Sequence, residues 1–492
     1  MSVTKYRRGE GAFFWSMLLT GLVVVIYVLR LTGPTDLEAD AQQRNVAYVM
    51  DAAWQGHWLV QTEARGWLMS KPPLHTWFAG AFVLAGGANR LTLTLPSALA
   101  VLAMTLLVYR VGRQRFSPAA GAFAGLACAL APMMARHIAL VRTDALFALT
   151  ITLAAFAAYR AWERGGGWVP FWLAGAAATL TKGPLGLLLA AAGLLAWFWE
   201  KRTDSAAPPP RGSHWGGVSL FLGITMGWLL LGVYFYGYAL IDKLFFDELF
   251  GQVTGMRKDI TPGENFYKPT LFFIVRFLPF SLFTCYGLWR IVRRPAADTA
   301  ERRFERFLFV WIAMGLLLFS LGAHFRADLL VPLWPAGALL AGREMAYLGA
   351  HIGLRRMAAA TAAVAGLLTW MVYWGYHSGA MKNKEVRYSV ATDQAGLALA
   401  TSGLDMQLIQ HLDTPVTLQI HLGIYRPWIS ENEALRLANR TTPVLLAVSS
   451  TEKYPTLFGS TGPALQEVFR WPSADSSQTT LLRVFANGSH RQ

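Results

Sequence analysis

Apolar runs of bilayer length recur from Ala12 to about residue 375, and they constrain this chain more than any other feature. A segment of roughly 18 or more apolar residues must satisfy its own backbone in lipid, which a helix does in about 20 residues per crossing. A membrane β-barrel would show short alternating segments, and none of that pattern is present. The composition agrees, with 54% hydrophobic and 15% charged residues and a mean hydropathy of +0.35. The expected fold class is therefore mainly α: a polytopic transmembrane helical bundle of about 11–13 spans with a small C-terminal α/β extramembrane domain.

A net charge of +15 raises the question of nucleic acid, but its distribution answers it. The basic residues form short clusters between apolar runs: Lys5/Arg7/Arg8, Arg110/Arg113/Arg115, Arg160/Arg164, Lys201/Arg202/Arg211, Arg290 through Arg306, and Arg343/Arg355/Arg356. Placing all of them in the cytoplasm satisfies the positive-inside rule, with the N-terminus cytoplasmic and the C-terminal domain periplasmic. Membrane lipids are the expected surroundings, and no nucleic-acid partner is expected. The first span follows Lys5, Arg7 and Arg8 as a signal peptide would. Ala12 to Val28 is long for such a segment and Leu31-Thr32-Gly33-Pro34 is a poor cleavage site, so it reads as a retained anchor. Cys128 and Cys285 both fall inside expected spans, leaving no disulfide framework and no cysteine metal site.

Spans consistent with this orientation run approximately 12–31, 93–110, 119–135, 145–162, 169–182, 184–199, 215–237, 269–289, 306–322, 328–342 and 357–375. The apolar stretch 74–88 is short and interrupted by Gly86-Gly87, and reads as a re-entrant or interfacial helix. Residues 206–212, AAPPPRG, read as a linker between two halves of the membrane domain, 1–375. Beyond residue 376 the apolar runs shorten to strand length at 416–424, 444–448 and 481–485, with a helical 431–439 between them, giving an α/β domain over 376–492.

The first outer loop, 32–90, is too polar to cross a bilayer and too long to be a plain connector. Its acids Asp36, Glu38 and Asp40 suit a general base acting on an acceptor hydroxyl or amine, and equally a solvated loop kept out of the bilayer. Lys71 stands before Pro72-Pro73, which fix the local backbone. A lysine so held at the membrane edge suits a lipid phosphate or simple snorkelling. Arg90, Arg136, His137, Arg142 and Lys182 all fall at the same ends of their spans, and charges at spans are costly. Together they suit a phosphate-linked lipid, while Arg142 and Asp144 also suit an ion pair between helices. Glu248 lies among the aromatic residues of the outer loop 238–268, as an acceptor-site acid or a metal ligand. His324, Arg326 and Asp328 form a short outer loop that offers a further phosphate contact. His57, His75, His137 and His324 show no metal-ligand spacing.

In order, Asp40-Ala41-Gln42-Gln43-Arg44, Gly56-His57-Trp58 and Lys71-Pro72-Pro73-Leu74 are followed by Arg90 with Leu95-Pro96-Ser97. Arg142-Thr143-Asp144, Leu180-Thr181-Lys182-Gly183-Pro184 and Leu330-Val331-Pro332-Leu333-Trp334-Pro335 complete the series. This set, over roughly residues 10–345, resembles the polytopic C-type glycosyltransferases of the lipid A aminoarabinose transferase and protein O-mannosyltransferase superfamily. The resemblance implies transfer of a sugar from a polyprenyl-phosphate donor on the periplasmic face of a bacterial inner membrane, to a lipid, glycan or protein acceptor. It implies Asp40 as catalytic base, with Asp36 the substitute, and Lys71, Arg90, Arg142, Lys182 and Arg326 around the donor phosphate. Asp144, Glu248 and His324 would then serve the acceptor or support the site. Two positions depart from the family pattern: Ala41 stands where an Asp-Glu pair is common, and Ser70 where an acid often precedes Lys-Pro-Pro. The second leaves a divalent metal an open question; no other cofactor is expected. A polytopic transporter or flippase of a lipid-linked sugar, or a non-catalytic assembly protein, would share the many spans. Charges gathered on one face and the lack of a visible inverted repeat favour the enzyme.

Overall fold

The computed structural model describes residues 3–39, 42–205, 207–251, 263, 266–322, 326–377, 384–460, 462–472 and 481–487. The principal helices are α1 (Val3–Leu31), α2 (Gln42–Gln55), α3 (Leu74–Gly86), α4 (Arg90–Arg115), α5 (Pro118–Leu130), α6 (Pro132–His137), α7 (Asp144–Arg164), α8 (Val169–Lys182) and α9 (Leu185–Ala191). They continue as α10 (Ala196–Thr203), α11 (Trp215–Tyr236), α12 (Lys268–Arg276), α13 (Phe280–Arg293), α14 (Thr299–Leu321), α15 (Trp334–Ile352), α16 (Leu354–His377), α17 (Lys384–Ala400) and α18 (Glu431–Ala438). Four strands follow α17: β1 (Ile409–His411), β2 (Leu445–Val448), β3 (Leu465–Trp471) and β4 (Leu482–Asn487). The chain is an integral membrane protein. It divides into two compact units, one of residues 1–32, 70–75 and 94–375, the other of residues 33–69, 76–93 and 376–492.

Six helices among the described residues are long and apolar enough to cross a membrane: Gly11–Leu31, Arg90–Arg115, Asp144–Arg164, Trp215–Tyr236, Thr299–Leu321 and Leu354–Gly375. They answer to six of the expected spans. Of the other five, 169–182 is one short unbroken helix, 184–199 is interrupted by a 3₁₀ segment at Ala192–Leu195, and the remaining three are broken at proline. Pro132 separates α5 from α6, Pro279 separates α12 from α13, and Pro332 lies in the 3₁₀ turn before α15, while Pro184 stands between α8 and α9. A proline inside a helix removes a hydrogen bond and clashes with the preceding turn, so an apolar run bearing one bends or stops.

In the first unit the inner helices pack through small residues. A Cβ on Gly342 of α15 would lie 2.4 Å from the Ala124 nitrogen and 2.5 Å from the Ala120 oxygen of α5. The two backbones are in direct contact there, a close approach that membrane helices make through glycine and alanine. Gly342→Val is therefore expected to cost about 1–3 kcal/mol by overpacking, seen as a lowered melting temperature in detergent. An unchanged melt would show that the helices can separate without loss. Farther along the bundle, Phe156, Tyr159, Phe304, Phe307 and Trp311 interlock edge-on and stacked. Buried Arg343 is neutralised between Glu305 and Glu344, and Glu344 also holds Arg290 at 3.0 Å.

The described part of the expected linker, 207–212, is not loose. Trp162 Nε1 donates to the Pro208 oxygen at 3.0 Å and Trp168 Nε1 to the Arg211 oxygen at 2.7 Å. Two buried indoles tie it down because their N–H groups find their acceptors on its backbone.

The second unit contains a mixed sheet in the order β1-β2-β4-β3, with β1 and β2 parallel and the other pairs antiparallel. Successive side chains of a strand face opposite sides, and β2 shows what that does here. Leu445 and Ala447 pack with Leu399 of α17 and Leu418, whereas Leu446 packs with Ala434 and Ala438 of α18. Both faces of the sheet are thus covered by helix. The expected strands at 444–448 and 481–485 and the helix at 431–439 are present, but 416–424 is a helical turn, Leu418–Leu422. Leu418 and Leu422 bury together at helical spacing, and Gly423 ends the turn at φ +67, the left-handed cap that glycine adopts without penalty.

The first loop is built into this unit. Glu38 accepts from the Thr417 amide at 2.9 Å and the Thr417 hydroxyl at 2.7 Å. Burial raises the Glu38 carboxyl above its ordinary range against the pull of those bonds. The Gly56-His57-Trp58 motif is also architectural: the Trp58 ring lies over Gly80 of α3, its oxygen accepts from Trp77 Nε1 at 2.6 Å, and His57 Nδ1 sits 2.9 Å from buried Asp51.

Candidate active site

Three local devices place charge at one end of the first unit. Asp144 opens α7, where unpaired amides and the helix dipole favour an anion. Lys182 closes α8, where the dipole favours a cation. Gly183 then turns the chain at φ +98 and ψ 178, a conformation that glycine alone adopts freely, and Pro184 keeps the helix from resuming. The Thr-Lys-Gly-Pro signature thus presents the ammonium at a helix terminus. Lys182 Nζ pairs with Asp144 Oδ1 and stands 5.6 Å from the centre of the Phe147 ring.

From Asp144 the network runs outward. Arg142 bridges two carboxylates, with Nε 3.0 Å from Asp144 Oδ2 and Nη1 3.1 Å from Asp328 Oδ2. Asp328 also lies 3.2 Å from Arg136 Nη1, 3.3 Å from His137 Nε2 and 3.4 Å from Arg326 Nη2. Ser97, the serine of Leu-Pro-Ser, donates to the Leu140 oxygen at 2.6 Å and pins the turn that carries Arg142 against α4.

Beside this network lies a cavity of about 320 Å³. Lys71 and Lys182 line it together with Ser70 and Glu248, and the rest of its wall is largely apolar, including Leu185, Trp228, Phe245 and Leu329. Lys71 Nζ contacts Glu248 Oε2 at 3.0 Å. Glu248 stands on a π-helical segment, Asp242–Phe250, a geometry that recurs at functional sites. Burial pushes the Lys71 ammonium below the ordinary lysine range, and the nearby Glu248 carboxylate opposes that. Each lysine carries three donors, so each can keep its carboxylate and still reach a phosphate oxygen. An anion with an apolar tail is the ligand such a wall accommodates. Among the described residues no group of three or more His, Cys, Asp or Glu is arranged to hold a metal.

The structure therefore brings together Lys71, Lys182, Asp144, Arg142 and Glu248, with Arg326 attached through Asp328. Asp36 and Arg90 belong to the second unit, where Arg90 Nη2 approaches Asp36 Oδ1 at 3.4 Å and Nη1 donates to the Gly33 oxygen at 2.7 Å. Asp40 and His324 lie outside the described residues, as do Glu264 and Asn265 of the outer loop. The sequence placed Asp328 in a short outer loop offering a phosphate contact, whereas it is the hub for three arginines and a histidine. Its signal was present: an acid standing between Arg326 and the Leu-Val-Pro-Leu-Trp-Pro run, where a lone carboxylate needs partners.

The chain is similar to several known proteins. Residues 70–229 match the family model described as dolichyl-phosphate-mannose-protein mannosyltransferase, a stretch holding Lys71, Arg142, Asp144 and Lys182. A protein from Aquifex aeolicus (strain VF5), described as uncharacterized, is 25% identical over 276 residues, 55% of this chain, and the match spans about half of that relative, 52%. The crystal structure of ArnT from Cupriavidus metallidurans bound to undecaprenyl phosphate superposes with a TM-score of 0.72 at 18% identity, covering 96% of this chain and 98% of that one. Its apo state gives 0.71 at 17%, covering 98% and 100%. At such identities the likeness shows the fold, which runs the whole length of the chain. The resemblance to the C-type glycosyltransferase family is borne out.

Proposed function

We propose that this protein is a membrane glycosyltransferase that moves a sugar from a polyprenyl-phosphate donor to a lipid or other envelope acceptor. The observation that carries the proposal is the apolar cavity with Lys71 and Lys182 in its wall. A phosphodiester-linked isoprenoid has one charged group and a long apolar tail, and this wall is complementary to both. The family match over the segment bearing both lysines supports it. So does the ArnT structure with undecaprenyl phosphate, which shares this fold.

In this reading Asp40 takes the proton from the acceptor hydroxyl or amine. The acceptor atom attacks the anomeric carbon from the face opposite the phosphate, the carbon–oxygen bond to phosphate breaks, and polyprenyl phosphate leaves with the electron pair. The anomeric configuration inverts. Lys71 and Lys182 stabilise the charge that grows on the leaving phosphate. Arg142 and Asp328 position Asp144, and through it the Lys182 ammonium. Arg90, tied to Asp36 and Gly33, orders the first loop. The N-terminus lies in the cytoplasm and the site faces the periplasm, because Arg110, Arg113, Arg115, Arg160 and Arg164 stand at the far ends of α4 and α7.

The direct test is transfer from a lipid-linked sugar by purified Asp40→Asn. Transfer is expected to fall by about 10²–10⁴, the usual worth of general base catalysis; a full rate would move the role to Asp36. A pH profile tests Lys71 separately. Its free-enzyme pKa lies below the ordinary 10.5, and only the ammonium below that pKa binds phosphate. Donor kcat/KM is thus expected to fall as pH rises through that lowered value, with the fall moved to higher pH in Lys71→Arg. A profile identical in the two proteins would remove Lys71 from the donor site.

A further inference from the structure

The far end of the bundle carries a second cleft, of about 1050 Å³, between the C-terminal ends of α4 and α7 and the start of α8. Asp144 and Arg164 bound α7, and 20 steps at 1.5 Å each separate them by about 30 Å, the thickness of a bilayer core. This cleft is therefore at the opposite membrane surface from the lysine cavity. Arg110, Arg160 and Arg164 line it, all exposed, and none makes an ion pair among the described residues. The neighbouring carboxylate, Glu163, is taken: both its oxygens accept from Arg115, at 2.6 Å each.

The apolar part of the wall comes from Leu107, Leu153, Phe156 and Leu173. Leu153 and Leu173 remain 43% and 41% exposed, as side chains facing lipid do. Gly166 and Gly167 stand at the mouth in open space, where a Cβ on either would meet nothing within 4 Å. That rim is braced by Trp168, which donates to the Arg211 oxygen. Here three guanidinium groups without an ion pair among the described residues edge a concave surface that continues into apolar side chains at bilayer depth.

We propose that this cleft seats one acidic phospholipid of the leaflet opposite the lysine cavity. Its phosphodiester lies among Arg110, Arg160 and Arg164, and an acyl chain runs along Leu153, Phe156 and Leu173. Guanidinium groups suit a phosphodiester because they offer planar, paired donors. The apolar continuation selects a lipid over a free anion.

The test is native mass spectrometry of the full chain in detergent, titrated with phosphatidylglycerol and, separately, with phosphatidylcholine. One phosphatidylglycerol is expected to be retained in preference to phosphatidylcholine. Arg160→Gln with Arg164→Gln is expected to lower phosphatidylglycerol affinity about tenfold or more, since each basic residue near a lipid surface is worth about fivefold. Arg293→Gln with Arg294→Gln, at another basic cluster, is expected to leave the preference intact. Leu173→Trp keeps every charge, fills the apolar side and is expected to weaken retention, so the test survives if the arginine variant fails to fold. Equal retention of the two lipids by the unaltered protein, or an unchanged preference in both the arginine and the Leu173 variants, would overturn the proposal. Displacement by equimolar inorganic phosphate would overturn the lipid assignment as well.

Discussion

Lys71→Ala is expected to lower kcat/KM for a polyprenyl-phosphate-sugar donor by about 10²–10³, or roughly 3–4 kcal/mol of transition-state stabilisation. The size follows from position. The ammonium lines a largely apolar cavity, where charge on a leaving phosphate is poorly screened and one fixed cation counts for more than in water. Part of any loss in the single variant could come from Glu248, whose ion pair with Lys71 is broken. The double variant Lys71→Ala/Glu248→Gln separates the two causes, because its amide carries no stranded charge. It is expected to melt like the unaltered protein and to stay as slow as Lys71→Ala. Recovery of transfer in the double variant would reduce Lys71 to a structural partner of Glu248. Lys71→Arg keeps the charge but replaces a compact ammonium with a planar fork, so an intermediate rate is expected.

Asp328→Ala is expected to have the largest effect on stability of any single change at this end of the molecule. It removes the shared acceptor of Arg136, His137, Arg142 and Arg326. Arg142 is 8% exposed and His137 is fully buried, so water cannot replace the lost carboxylate. Breaking one buried pair costs about 3–5 kcal/mol, and here several cations lose a partner at once. A large drop in melting temperature, or failure to recover folded protein from detergent, is the outcome to look for. Asp328→Asn keeps an acceptor oxygen and should lie between. A melt of Asp328→Ala within a degree or two of the parent would mean that the cations find water or one another, and that Asp328 is peripheral. Because Arg142 also holds Asp144, the surviving Asp328→Asn protein is expected to bind donor more weakly than its stability alone would imply.

Much of the site was legible because its residues sit at helix ends. Asp144 and Lys182 are marked by a following apolar run and by Gly183-Pro184, and a helix terminus is a local property that short sequence windows report. Lys71 is marked in the same way by two prolines. The pairing of Lys71 with Glu248 was not legible: 177 residues separate them, and no local rule joins them. The hub role of Asp328 was hidden for the same reason. Breaks in three apolar runs were readable from Pro132, Pro279 and Pro332, yet hydropathy alone makes each run look like one span. The turn at Leu418–Leu422 shows the converse error, since alternating apolar residues fit a strand until burial at 418 and 422 selects the helix.

Sequence alone established a membrane-embedded, mainly helical chain with a small α/β domain, and it singled out lysine, arginine and aspartate at span ends as candidates for the chemistry. Hydropathy, proline and glycine act within a few residues, so they can be read without a fold. Which charges share a carboxylate, which line one cavity with Lys71, and where a second basic cleft opens at the other end of α7 were decided by tertiary packing. Ion pairs and cavities are made by segments far apart in the chain, and only their folding brings them within the few ångströms over which such forces act.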